Sequence, residues 1–308
     1  MEKNNVSEKH AYLLSLFGAF FMAVLGLGFA YLTHSEAILL DGVFSLINML
    51  MIGLTLFVFL RILPVVNDRF QFGMAQTEPM LNLIKAILFL CAVVFAIYSA
   101  IIALILGGRT IDFGLGVWYA LIAGTGCFFI AAIIHRISKK SPSPMLDVEK
   151  KGWMVDGFLS SAVFFVFIVG SLLKNTQWDI YLNYVDPIMV LLISIAIIPI
   201  PVKIFKDNFF ELLLSAPSLK VQSEIDDNIQ EVFKDYPIDD FYIRSAKTGR
   251  YFTVWIMCLN NEQHPMTMLD YDAVRQRLYK KFDVPASKMY LYLEVTTKPQ
   301  VYEFEINN

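Results

Sequence analysis

Long apolar runs separated by short polar segments fill the first two thirds of the chain. Each run is about as long as the roughly 20 helical residues that cross a hydrocarbon core, which predicts six spans at 11–33, 36–62, 79–106, 114–135, 152–173 and 185–206. The first run has no small-residue cleavage pattern, so we expect a retained helix rather than a cleaved signal peptide. Pro199 and Pro201 predict a kink near the end of the sixth span.

The pattern changes after Pro217, where charged residues become frequent and the long apolar runs end. Hydrophobic periodicity predicts helices at 222–235 and 267–282 and strands at 240–246, 251–259 and 289–296. This order predicts a small α+β domain with its helices on one face of a sheet. We therefore expect a cytoplasmic leader, a six-helix transmembrane domain and a cytoplasmic domain, at 1–10, 11–217 and 218–308.

Lysine and arginine are distributed unequally on the two sides of the spans. The richer side carries Lys3, Lys9, Arg61, Arg69, Arg136, Lys139, Lys140, Lys150, Lys151, Lys203 and Lys206. The other side carries Arg109 and Lys174. The positive-inside rule then predicts that both termini lie in the cytoplasm. We expect an integral protein of a bacterial inner (plasma) membrane.

Composition supports a membrane protein and argues against several functions. Hydrophobic residues make up 56% of the 308 positions and charged residues 17%, outside the range of ordinary soluble domains. The net charge of −3 argues against nucleic-acid binding. Cys91, Cys127 and Cys258 are too scattered for a C-x-x-C site or an evident disulfide. Because no nucleophile–base pair or phosphate loop is apparent, we expect neither an enzyme nor a bound cofactor.

Polar side chains inside the spans carry the candidate chemistry. Asp41, Ser45 and Asn48 share one face of the second span, and Asp156 and Ser160 lie one turn apart in the fifth. A carboxylate at the centre of a membrane helix costs roughly 2.5–3.5 kcal/mol, so it is expected to face a water-filled path or a counter-charge. Oxygen ligands from two facing helices could hold a hard or borderline cation. The alternative is that these groups only join helices by hydrogen bonds.

Lys85 lies about two turns inside the third span, on the same face as Glu78 and Asn82. Its ammonium could reach the cytoplasmic interface, or it could pair with Asp41 or Asp156 as a counter-charge that competes with a cation. The histidines lie near membrane edges or in the tail, which predicts no histidine-based zinc site within the membrane: His10, His34, His135 and His264.

Five segments match, in order and spacing, motifs of one known family. Residues 35–48 resemble the second-helix pattern S-x-A-L-L-A-D-G-x-H-S-L-x-D, and residues 70–78 resemble the F-G-H-x-R-x-E entry to the third helix. Asp186-Pro187-Ile188 matches a D-P-I that opens the sixth helix, and residues 211–217 resemble the L-L-x-x-A-P that closes the membrane domain. Residues 243–252 look like the first hairpin of a ferredoxin-like tail. The chain thus resembles the cation diffusion facilitators, or cation efflux proteins.

The resemblance implies a homodimer that exports a divalent metal from the cytoplasm in exchange for protons, through a tetrahedral site between the second and fifth helices. It also implies a ferredoxin-like tail that dimerises and often binds regulatory metal. The family's ligand positions fall here on Phe44 and Asn48 and on Gly152 and Asp156. Only Asp156 is ionisable, so a tetrahedral zinc site is not supported.

Two further departures from the family concern the register and the other metal sites. In a shifted register of the fifth helix, the ligand positions would fall on Leu159 and Val163. Phe70 and Met74 replace the histidines of the family's loop site, and the tail lacks its usual histidines.

We therefore expect a proton-coupled transporter of a manganese-like, ferrous or monovalent cation. The expected ligands are Asp41, Ser45, Asn48, Asp156 and Ser160, with Lys85 as a candidate counter-charge. Asp156 would be the central ligand, and Asp41 a second ligand or the carboxylate that exchanges protons. The expected partners are a second copy of the chain, membrane lipid and protons.

Two other functions remain open. The chain could have lost transport and act as a structural or regulatory partner, which a Lys85 facing Asp156 would favour. It could also carry an organic ion, which an enlarged cavity at Gly152 would favour.

Overall fold

A computed structural model describes residues 2–61, 71, 74–140, 144–174, 176–249, 251–260, 263, 266–282 and 289–307. Arg69, Phe70, Arg250 and His264 lie outside these residues. The chain forms two compact units, one of Met1–Ile62 with Ile84–Phe205 and the other of Leu63–Leu83 with Lys206–Asn308. The predicted domain boundaries at residues 10 and 217 stay predictions.

Six segments of the described chain are helical, long and apolar enough to cross a membrane. They are α1 (Glu2–Thr33), α2 (Glu36–Arg61), α3 (Thr77–Ile105), α4 (Phe113–Lys140), α5 (Pro144–Leu173) and a sixth segment that joins α6 (Asp179–Leu182), α7 (Val185–Ile197) and α8 (Pro199–Leu212). This confirms the predicted α-helical membrane protein with six spans.

The sixth segment is interrupted where its prolines predicted a kink. Helix α7 ends at Ile197 and α8 begins at Pro199. Proline has no N–H to donate to the preceding turn, so it suits the first position of a new helix better than a helix interior. The chain stays helical on both sides, because Ile198 N donates to Ser194 O at 3.0 Å and Val202 N donates to Ile198 O at 3.2 Å.

Two glycines bring the backbones of α1 and α2 into close contact. A Cβ added to Gly26 would lie 2.6 Å from the Cα of Gly42, and one added to Gly42 would lie 2.8 Å from the backbone nitrogen of Leu27. Small residues let membrane helices pack backbone against backbone in this way. The contact fixes the height of Asp41, which directly precedes Gly42, against α1.

The start of α2 is held by a carboxylate at the start of α7. Asp186 is fully buried and accepts hydrogen bonds from Ser35 Oγ at 2.5 Å, from Glu36 N at 3.1 Å and from Ala37 N at 3.3 Å. A negative charge is stabilised at a helix N-terminus, where backbone N–H groups point outward. Asp186 therefore caps α2 from another helix.

Arg109 joins three elements at the same end of the first unit. Its Nη1 lies 2.9 Å from Glu36 Oε2 and 3.4 Å from Asp186 Oδ2, and its Nη2 donates to Ser99 Oγ at 3.3 Å. Ser99 in turn donates to Glu36. Burial alone would lower the pKa of Arg109, but the hydrogen bond and charge of Glu36, reinforced by Asp186, raise that pKa above its usual value.

Two glycines place Arg109 in this cluster. Gly107 and Gly108 have φ angles of +98° and +92°, which residues other than glycine rarely adopt. A Cβ on Gly108 would also lie 2.5 Å from the carbonyl oxygen of Asn183. The loop therefore passes close to α6, and Arg109 N donates to Asn183 O at 2.7 Å.

The C-terminal part of the chain forms a small α+β domain, as the sequence predicted. Its elements are α9 (Leu219–Phe233), β1 (Ile238–Thr248), β2 (Tyr251–Asn260), α10 (Met268–Lys281), β3 (Met289–Thr296) and α11 (Pro299–Asn307). The strand order is β1-β2-β3, with β1 antiparallel and β3 parallel to β2. The assignment of this domain as ferredoxin-like stays a prediction.

The core of this domain lies between the sheet and two helices. Ile229 of α9 and Leu278 of α10 are fully buried in one apolar cluster with Ile256 and Cys258 of β2. Cys258 is thus a core residue, and burial raises the pKa of its thiol to about 12. The sequence did not predict α11, whose Tyr302 is buried.

Candidate functional site

The six side chains predicted to form the site line one cavity within the first unit. The cavity has a volume of about 290 Å³, and we call it the central cavity. Helix α2 contributes Asp41, Ser45 and Asn48, α3 contributes Lys85, and α5 contributes Asp156 and Ser160. The structure therefore brings every predicted site residue together, while the binding of a cation among them stays a prediction.

Asp41 is held by a tyrosine that the sequence analysis did not consider. The hydroxyl of Tyr119, from α4, donates a hydrogen bond to Asp41 Oδ2. Tyr119 is 2% exposed, and its ring packs against Phe29 with the ring centroids 5.7 Å apart. Among the described residues, no other hydrogen-bond donor reaches Asp41. One carboxylate oxygen is therefore occupied, while Oδ1 has no protein donor in the described chain.

Asp156 has different surroundings. It lies on the wall of the central cavity, is partly exposed, and makes no hydrogen bond or ion pair with the described part of the chain. Ser160, one turn later, is 5% exposed and lines the same wall. Both oxygens of this carboxylate are available to a ligand.

Lys85 places a positive charge in the cavity wall without a direct partner. Its Nζ lies 5.6 Å from the centroid of the Phe89 ring, a cation–π distance. No carboxylate of the described chain lies within 4.0 Å of it, although Glu149 and Asp156 are within electrostatic range. Lys85 therefore offsets part of the negative charge of the cavity from a distance.

Aromatic packing occupies one position where the resemblance implies a metal ligand. Phe44, on the second-helix ligand position, packs edge to face against Phe89 with the ring centroids 4.9 Å apart. Phe89 in turn lies beneath the Lys85 ammonium. Phe44 thus packs against the ring that lies under the Lys85 ammonium.

The other substituted family position leaves space. Gly152 lines the central cavity, and a Cβ added there would have no other atom within 4 Å. The cavity wall is open at a point where, in one of the two registers of the fifth helix, the resemblance implies a ligand side chain.

Three polar residues of the cavity were missed from the sequence: Tyr119, Cys127 and Glu149. The sequence does contain a pattern that could have identified Tyr119 and Cys127. Together with Ala123 they recur every four residues and lie on one buried face of α4. A tyrosine among such small residues marks a place where a hydroxyl needs a buried partner. Glu149 belongs to the polar first turns of α5, which lie outside the predicted span of 152–173.

The residues present favour oxygen ligands over a tetrahedral metal centre. In the described part of the chain, no three His, Cys, Asp or Glu side chains lie close enough to share a metal ion. A cation beside Asp41 and Asp156 would take its other ligands from hydroxyl, amide and water oxygens, which suit hard cations.

Comparison with known proteins agrees with this architecture. Residues 12–213, about two thirds of the chain, match the family model of the cation efflux transmembrane domain. Among curated proteins, none matches the chain. The matched region includes α2 and α5 in full and every residue that we place on the central cavity. The chain belongs to the cation efflux family of integral membrane cation transporters.

Proposed function

We propose that the protein moves a hard or borderline cation across the membrane through the central cavity, in exchange for protons. The observation that carries this proposal is the meeting of Asp41 and Asp156 with three neutral oxygen side chains in one cavity of a cation efflux domain. Carboxylate, hydroxyl and amide oxygens suit manganese-like, ferrous or monovalent ions better than zinc.

In this proposal the two carboxylates have separate tasks. Asp156 is the central ligand, because neither of its oxygens is engaged by the described residues. Asp41 supplies a second ligand through Oδ1, since Tyr119 occupies Oδ2. Ser45, Asn48 and Ser160 complete the coordination with neutral oxygens.

Proton exchange follows from the cost of buried charge. When the cation leaves, Asp41 and Asp156 remain with Glu149 in a mostly apolar cavity, where the negative charge that Lys85 does not offset costs several kcal/mol. Taking up a proton removes that charge, so cation release and proton binding are coupled. Movement of helices around a site at mid-membrane depth would then expose it to each side in turn. We expect the cation to leave the cytoplasm and both termini to lie there.

The test is flux in proteoliposomes that contain the purified protein and a pH gradient. We would screen manganese, iron(II), zinc, cobalt, sodium and potassium against Asp156→Ala, with Asp179→Ala as the control because Asp179 is exposed and outside the cavity. We expect cation-dependent proton movement in the unchanged protein and in the control, and its loss in Asp156→Ala. Normal flux in a folded Asp156→Ala variant would exclude the proposed site.

One observation favours a transport-inactive family member as a second candidate function. Lys85 lines the cavity within electrostatic range of Asp156, so a built-in cation could replace a transported one. Silence of the unchanged protein across the ion panel, together with flux in Lys85→Met, would support this function.

Another observation favours a larger substrate. The open space at Gly152 gives the cavity room for a small organic cation beside the carboxylates. Flux of small amines that Gly152→Val blocks, with no flux of metal ions, would support an organic-ion carrier.

A further inference from the structure

We propose that Tyr119 is a specificity-determining residue, because its hydrogen bond to one oxygen of Asp41 makes binding of a cation through both oxygens less favourable and so favours small cations over large ones. This inference rests on the proposed function of the central cavity. It concerns a residue on α4, outside the helices that carry the expected ligands.

The first step is that one oxygen of Asp41 is committed to the protein. The Tyr119 hydroxyl donates to Oδ2, and Oδ1 has no donor among the described residues. A hydrogen bond to a charged group is roughly twice as strong as one between neutral groups. A cation that binds both oxygens would therefore compete with the Tyr119 hydroxyl for the electron density of Oδ2.

The second step is that the tyrosine has little freedom to move aside. Tyr119 is 2% exposed and lies against the Phe29 ring. A Cβ on Gly26 would lie 3.3 Å from the Tyr119 hydroxyl, so the hydroxyl passes directly beside the backbone of α1. The close contact of Gly26 with Gly42 thus shapes the space through which the hydroxyl reaches Asp41.

The third step is the coordination chemistry of cations of different size. Ca²⁺ takes about 6–8 oxygen ligands and often binds a carboxylate through both oxygens, whereas smaller octahedral cations use about six ligands at shorter distances. A carboxylate with one oxygen already engaged in a hydrogen bond penalises the cation that binds through both oxygens. Tyr119 therefore favours Mn²⁺ or a similarly small ion over Ca²⁺.

The experiment compares Mn²⁺ with Ca²⁺ in the full-length protein and in Tyr119→Phe. The probe is Mn²⁺ flux into proteoliposomes, with Ca²⁺ as competitor. The readout is the ratio of the half-saturating concentration of Mn²⁺ to that of Ca²⁺. Tyr119→Phe keeps the ring and removes the donor, so we expect the ratio to shift toward Ca²⁺ by roughly tenfold, as expected for loss of a charged hydrogen bond. Tyr98→Phe is the matched control, since Tyr98 is 65% exposed on α3.

Two further variants separate selectivity from a general effect on packing. In an Asp41→Asn background, Tyr119→Phe should change the ratio no further, because the oxygen that it frees is gone. Phe29→Leu keeps the hydroxyl but loosens the tyrosine, and should shift the ratio in the same direction by less. If flux is too low to measure, equilibrium binding of Mn²⁺ and Ca²⁺ to the purified proteins gives the same ratio.

The outcomes distinguish this inference from the proposed function. An unchanged ratio in both Tyr119→Phe and Phe29→Leu, with Asp156→Ala inactive, overturns the role of Tyr119 alone. Normal flux in Asp156→Ala overturns the proposed function and this inference with it. Failure of the unchanged protein to bind Mn²⁺ also overturns the inference.

Discussion

Two aspartates of the same cavity have different surroundings. Asp41 is fixed by a phenol, while Asp156 has no partner in the described chain and lies within range of an ammonium. In the proposed function, the fixed carboxylate of Asp41 sets the geometry of the ligands, and the unpaired carboxylate of Asp156 holds the cation.

Substitution of Lys85 measures how strongly a nearby positive charge opposes the binding of a cation in the central cavity. Lys85→Met keeps the length of the side chain and removes the charge, so we expect at least a several-fold tighter apparent affinity for the transported cation, because like charges repel at short range. We also expect a changed pH dependence of flux. Both are measured in proteoliposomes over a series of pH values.

The control for this substitution is Lys151→Met, which removes an exposed lysine of α5 outside the central cavity. If Lys85→Met leaves both the affinity and the pH profile unchanged, the ammonium acts at the cytoplasmic interface and not on the cavity.

At the scale of elements, the contact between α1 and α2 controls the position of Asp41. A Cβ at Gly42 would lie 2.8–3.2 Å from backbone atoms of Gly26 and Leu27, and backbone cannot move aside like a flexible side chain. We expect Gly42→Ala to lower the free energy of unfolding by about 1–3 kcal/mol, the usual cost of overpacking. Thermal unfolding of the purified protein in detergent measures this change.

Gly53→Ala is the matched control on the same helix. The nearest atom to a Cβ at Gly53 is Leu16 Cδ1, at an ordinary contact distance of 3.9 Å. Alanine is also a better helix former than glycine. We therefore expect Gly53→Ala to be neutral or slightly stabilising, and equal unfolding temperatures for the two variants would show that the two helices adjust freely.

At the scale of the whole molecule, the expected homodimer can be measured directly. The chain has a mass of 35.1 kDa, so we expect light scattering of the purified protein, corrected for detergent, to give twice that mass. A single-chain mass in a preparation that retains full flux would show that one subunit is sufficient.

The sequence was sufficient to predict the spans and the polar faces of α2 and α5, because both depend on local periodicity. Asp41, Ser45 and Asn48 share a face through the helical repeat alone, wherever the helix packs. The ends of elements were less predictable: α1 and α5 begin earlier than their apolar runs, since a helix needs no apolar residues to continue beyond a membrane.

The partner of Asp41 could not be predicted in the same way. Tyr119 lies 78 positions further along the chain, and its hydrogen bond depends on the close packing at Gly26 and Gly42. The ion pairs of Arg109 could not be predicted for the same reason. The sequence analysis assigned Arg109 to a loop between two spans, but only the fold brings it to Glu36 and Asp186. Contacts between distant segments are set by tertiary structure, which periodicity does not report.

The order in which the cavity residues occur along the chain has a consequence for biosynthesis. Because the chain is made from its N-terminus, Asp41 enters the membrane before Tyr119 exists, and Lys85 enters before Glu149 and Asp156 are synthesised. Helix α3 is the most apolar of the six spans, which compensates for inserting a lysine alone. The cavity is therefore completed only when the sixth span, which supplies Ile193 and Pro201 to its wall, is inserted. Until the fourth helix is made, Asp41 lacks its hydrogen-bond donor, and until the fifth is made, Lys85 lacks the carboxylates within electrostatic range.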